Sequence, residues 1–123
     1  MRAVHLLALG AGIAASAPAL ANEDLMKHLA NPAEQALQTV DYANTRYSKL
    51  DQINKDNVKN LQVAWTFSTG VLRGHEGSPL VIGNMMYVHT PFPNIVYALD
   101  LDQNAKIVWK YEPKQDPSVI PVM

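Results

Sequence analysis

The pattern of apolar and polar positions changes character twice along the chain. Residues 6–17 form a nearly continuous apolar run, preceded by Arg2 and His5 and followed by Ala19-Leu20-Ala21. A basic start, a short apolar stretch and a small-x-small end make up a secretory signal peptide. The prediction is a signal peptide over residues 1–21 with cleavage after Ala21, since a membrane-spanning helix needs about 20 apolar residues. Residues 22–60 are polar and carry weak helical signals. Asn31-Pro32 with Glu34 reads as an N-cap, a proline at the first helical position and an N3 carboxylate. Tyr42-Ala43-Asn44-Thr45-Arg46-Tyr47 has no helical apolar period, so the region is expected to be an irregular arm with one or two short helical turns.

From Leu61 the period shortens to two. A strand is predicted over 62–68, with Val63, Trp65 and Phe67 on one face and Gly70 closing it. Four more are predicted at 79–82, 85–90, 95–100 and 106–111. Gly83-Asn84 between the first two is a hairpin signal, because glycine takes positive φ freely. Pro91-Phe92-Pro93-Asn94 marks a loop, since proline donates nothing to a ladder. Residues 101–105 form a polar turn. Four short antiparallel strands joined by tight turns describe a meander, or one blade of a β-propeller. The fold class is therefore all-β, with 61–123 either a plain meander or the start of a propeller whose first blade would lie at about 79–111. One such sheet plus a lone strand cannot cover two sheet faces, so the pattern predicts an incomplete domain whose leading strand pairs with distant chain.

Composition narrows the function. The 123 residues hold 10 Lys+Arg and 11 Asp+Glu, a formal charge of −1, with no basic cluster to meet nucleic acid. There is no cysteine, which removes disulfides, thiolate metal sites and a cysteine nucleophile from these residues. With the export signal, this points to a periplasmic destination.

Few residues carry candidate chemistry. Glu76 lies between Gly74 and Gly77 in the loop before the first blade strand. A loop glutamate is ordinarily a solvated charge, although flanking glycines allow a backbone to approach a flat ligand closely. Arg73 reads as a surface salt-bridge partner or as a planar fork for a carboxylated ligand. His75 and His89 are fourteen residues apart with no carboxylate cluster, poor spacing for a metal, and both read as structural. Of Met85 and Met86, at least one is expected to face the sheet interior. No catalytic residue and no metal ligand is assigned.

Several strings resemble the large subunit of bacterial quinoprotein alcohol dehydrogenases, methanol dehydrogenases above all. They are Asp41-Tyr42-Ala43-Asn44-Thr45-Arg46-Tyr47-Ser48, Asn57-Val58-Lys59-Asn60-Leu61, and Ala64-Trp65-Thr66-Phe67-Ser68-Thr69-Gly70. Arg73-Gly74-His75-Glu76-Gly77-Ser78-Pro79-Leu80 and Tyr87-Val88-His89-Thr90-Pro91-Phe92-Pro93-Asn94 continue the likeness. The resemblance implies an eight-bladed propeller of which this chain is the exported N-terminal fragment. It implies Glu76 as a hydrogen-bonding ligand of pyrroloquinoline quinone (PQQ). Ala98-Leu99-Asp100 with Trp109 is similar to the family's tryptophan-docking repeat, though the turn lacks glycine and is one residue longer. Asp100 would then cap the turn and Trp109 stack on a neighbouring blade; alternatively Trp109 is a core aromatic of the sheet.

The implied activity is oxidation of methanol or another primary alcohol to the aldehyde. PQQ and a calcium or lanthanide ion would serve as cofactors, with electrons passing to a periplasmic c-type cytochrome and the full-length parent a homodimer. The stretch 94–100 looks closer to the lanthanide-type branch. The family's metal ligands, catalytic base and cysteine pair fall outside this chain, so the fragment alone is expected to be inactive. The alternative is a non-enzymatic periplasmic propeller repeat acting as a binding scaffold.

Overall fold

A computed structural model describes residues 22–122, and the predicted signal peptide lies outside the described residues. Helix α1 spans Glu23–Ala30. Asn22 caps it, its side-chain oxygen accepting from the N–H groups of Asp24 at 3.0 Å and Leu25 at 3.3 Å. Glu23 and Asp24 occupy its first turn, Lys27 and His28 its last, each suited to the helix dipole.

The expected helical start at Asn31-Pro32 is instead where α1 ends. Asn31 is the C-cap, its N–H bonded to the His28 carbonyl at 3.1 Å. Its side chain accepts from the Ala33 N–H at 3.1 Å, and its carbonyl from the Glu34 N–H at 3.1 Å. Asparagine and proline serve a turn as readily as an N-cap, and no apolar period follows to carry a helix onward. A single 3-10 turn, Val58–Asn60, is the other helical piece of the arm.

The sheet is a meander of four antiparallel strands in sequence order, β1 (Leu80–Ile82), β2 (Met85–His89), β3 (Val96–Asp100) and β4 (Lys106–Tyr111). Gly83 turns the first hairpin at φ 59°. Thr90 and Ile95 close the β2–β3 loop, the Thr90 N–H meeting the Ile95 carbonyl at 2.8 Å. The Thr90 hydroxyl oxygen, in a residue only 2% exposed, accepts from the Ile95 N–H at 3.0 Å.

The β3–β4 turn is a 3-10 turn, Leu101–Gln103, capped by Asp100. The Asp100 carboxylate accepts from the Asp102 N–H at 3.0 Å and from Gln103 Nε2 at 2.6 Å. Asn104 (φ 52°) and Ala105 (φ 60°) then take the left-handed conformation. Two such residues reverse the chain without glycine, which accounts for the extra length of the turn. A bulge follows: Ala98 pairs with Trp109 but Leu99 with Ile107, leaving Val108 without a partner.

The pleat sorts the residues onto two faces. On one, Met86, Val88, Tyr97 and Leu99 meet Trp65, Phe67 and Val71. The predicted strand over 62–68 is extended and turns alternate side chains inward, with Trp65 and Phe67 half-buried. It enters no ladder among the described residues, and Val63 is 80% exposed. Alternation alone signals extended chain resting on a sheet; a strand also needs a backbone partner, and none of the described residues supplies one. On the second face, register aligns Leu80, Tyr87, Ala98 and Trp109 in one row. Trp109 is 44% exposed with its ring 6.2 Å from that of Tyr87, so it is not the core aromatic that one reading foresaw.

The arm docks on β1 through an isolated bridge. Gln35 N–H to Val81 O measures 2.9 Å, and Val81 N–H to Gln35 O 3.0 Å. Glu34, next to it, accepts from Asn31 Nδ2 at 3.0 Å and pairs with His28 Nδ1 at 2.5 Å. The His28 hydrogen bond, more than the bonds from the Gly83 backbone and Asn31, holds the Glu34 carboxyl below the usual carboxylate range.

Candidate functional site: the Glu76 loop

Residues 69–78 run from the extended segment to β1 without regular structure, and three contacts latch this stretch to the sheet. At its start the Tyr97 hydroxyl donates to the Thr69 carbonyl at 3.0 Å, and the Tyr97 ring meets Phe67 edge-on at 5.1 Å between centroids. In its middle the Arg73 guanidinium lies over the Phe92 ring, 5.6 Å from the centroid. At its end Gly77 packs against the His89 imidazole so closely that a Cβ there would collide with the ring. Tyr97, Phe92 and His89 belong to β3, the β2–β3 loop and β2, so the sheet itself holds the loop.

The loop also braces itself through His75. Its Nδ1 donates to the Arg73 carbonyl at 2.9 Å, and its Nε2 shares a hydrogen bond with the Thr69 hydroxyl at 3.2 Å. The Thr69 oxygen in turn accepts from the Val71 N–H at 3.3 Å. His75 thus ties two parts of the loop together. Among the described residues no three His, Cys, Asp or Glu side chains gather as a metal site would require.

Glu76 stands exposed between these latches. The two glycines beside it differ in use. Nothing lies within 4 Å of the place a Gly74 Cβ would take, whereas that of Gly77 is filled by His89. The backbone thus has open space beside it at Gly74 and a neighbouring ring against it at Gly77. A cavity of about 370 Å³, lined by Ser78, Leu80, Tyr87, His89 and Val96 with Ala36–Gln38, lies on the second face of the sheet. A larger one of about 480 Å³ lies between the arm and the end of α1, away from this loop.

The latching partners Thr69, Phe92 and Tyr97 carried no functional signal in the sequence, because their role exists only once β2 and β3 are folded beneath the loop. Phe92 was visible as part of the proline-flanked string, and nothing in that string indicates Arg73.

A four-stranded meander with an apolar outer strand and an exposed aromatic on one face, preceded by a loop latched to it, describes a propeller blade. The chain matches the PQQ family model described as glucose/ethanol/alcohol dehydrogenase, β-propeller domain, over residues 38–120, and it belongs to that family.

The lanthanide-dependent methanol dehydrogenase of Methylorubrum extorquens is 89% identical over all 123 residues, which make up 20% of that protein. Methanol dehydrogenase [cytochrome c] subunit 1 of Paracoccus denitrificans is 49% identical over 112 residues, 91% of this chain and 18% of that protein. Among solved structures, a europium-containing methanol dehydrogenase superposes with a TM-score of 0.76 at 52% identity, covering 83% of this chain and 18% of the other. The chain spans about a fifth of the length of these relatives.

Proposed function

We propose that this chain is the opening part of a periplasmic PQQ-dependent alcohol dehydrogenase and that Glu76 is its contribution to the cofactor site. The observation that carries the proposal is an exposed carboxylate on a loop tied to the sheet on both sides, at Thr69 and at Gly77. The donor chemistry fits: a carboxylate accepts hydrogen bonds from a polar ring, and the open flank at Gly74 admits a flat molecule. When bound, PQQ supplies the two-electron acceptor for oxidation of a primary alcohol to the aldehyde. Glu76 orients that ring and takes no proton from substrate. On the resemblance, the metal ligands and the general base are assigned to chain beyond these residues.

The relatives' names support methanol as substrate, a c-type cytochrome as electron acceptor and a lanthanide as the metal. The apolar run before Ala21 supports export to the periplasm. A homodimeric parent is proposed on the resemblance alone.

The test is PQQ titration of the full-length enzyme carrying this segment. Glu76→Gln is expected to weaken PQQ by roughly ten- to a hundredfold, the size of a lost hydrogen bond to a charged group. An unchanged affinity would remove Glu76 from the site. The 123-residue chain alone is expected to show no methanol-dependent dye reduction, and measurable turnover would refute that.

A further inference from the structure

We infer that His89 is a positioning residue for Glu76, acting through the backbone of Gly77. This rests on the reading of Glu76 as a PQQ ligand. Gly77 is not needed for backbone conformation, since the glycines with positive φ are Gly70 and Gly83. It is needed for space. A Cβ at position 77 would overlap Nε2 and Cε1 of the His89 ring and stand 2.9 Å from Cδ2. The imidazole therefore lies directly against the peptide that follows Glu76 and limits how far it can retreat toward the sheet. On the other side, at Gly74, there is no such buttress.

His89 is well placed for this work. It is the last residue of β2, paired with Val96 in the ladder, and the next residue is the buried Thr90 with both its polar groups bonded. A support on a strand holds a ligand more closely than one on a loop. Among the described residues the His89 ring makes no hydrogen bond, so its contribution is shape. The consequence is that volume at 77 and 89 must be complementary, and that the effect of His89 on PQQ passes through Glu76.

The experiment is a double-mutant cycle in the full-length enzyme, read as the dissociation constant for PQQ added to apoenzyme. His89→Ala is expected to weaken PQQ by several-fold to tenfold when Glu76 is present, and to have no further effect in a Glu76→Gln background. Gly77→Ala is expected to weaken PQQ as much as Glu76→Gln does, and adding His89→Ala to it is expected to restore affinity to that of His89→Ala alone. Equal effects of His89→Ala in both backgrounds would overturn the inference while leaving Glu76 as a ligand. So would full affinity in Gly77→Ala. If Glu76→Gln itself left PQQ unchanged, the ligand reading would fail, and the inference with it. Should Gly77→Ala not fold, the His89/Glu76 cycle still gives the answer.

Discussion

Thr90 and Glu34 show how much of this structure hangs on single polar groups. The Thr90 hydroxyl is buried and satisfies the Ile95 N–H, so Thr90→Val leaves that donor unpaired inside the sheet. In the full-length enzyme the substitution is expected to cost about 1–3 kcal/mol in urea denaturation, with Thr90→Ser costing less. Glu34 gives a pH dependence with a definite sign. Its carboxyl is held below the ordinary 4.5 in the folded arm, first by the His28 hydrogen bond. Its stabilisation is therefore full above 4.5 and disappears as pH falls through the lowered value. The protection factors of the Gln35 and Val81 amides, corrected for intrinsic exchange, should fall on acidification in that window, and Glu34→Gln should flatten the response.

Asp100 was legible at this scale through the resemblance: the docking-repeat pattern places it as the cap of the turn, and the structure uses it as one. The His28–Glu34 pair was not legible. Two residues six apart meet only because α1 stops at Asn31 and the chain doubles back, a tertiary outcome that helical spacing cannot reveal.

Among elements, β1 to β4 were readable because each is a short run rich in strand-forming residues bounded by a turn or proline signal. The helical part of the arm was misread. α1 is announced by Asn22 and two acidic residues, but it has only eight positions, and its apolar residues Leu25 and Leu29 are just half-buried. A helix this short depends on docking, which sequence periodicity does not report. The segment over 62–68 has strand alternation and no ladder partner among the described residues, as expected of a leading strand that pairs with distant chain. How the Glu76 loop is fastened follows from the elements beneath it. Tyr97→Phe removes the hydroxyl that holds the Thr69 carbonyl while keeping the ring against Phe67. The expected loss is about 1 kcal/mol of stability, with faster exchange confined to residues 69–77. Unchanged exchange there would mean that the latch does not restrain the loop.

For the whole molecule the balance of apolar surface is the governing fact. Fifteen large apolar side chains are exposed among the described residues, while six apolar residues form the buried core and Leu99 alone is a large side chain buried completely. All six residues of β4 are exposed, Ile107, Val108, Trp109 and Tyr111 among them. A sheet with such faces calls for neighbouring blades, in keeping with a chain that spans about a fifth of its relatives' length. The most direct test of this account is scanning calorimetry of the isolated segment 22–123 at several concentrations. The account predicts no sharp cooperative transition in the monomer, because the surfaces that would make the sheet cooperative lie in the other blades. A single concentration-independent melting peak, with residues 62–68 hydrogen-bonded inside the segment's own sheet, would contradict it.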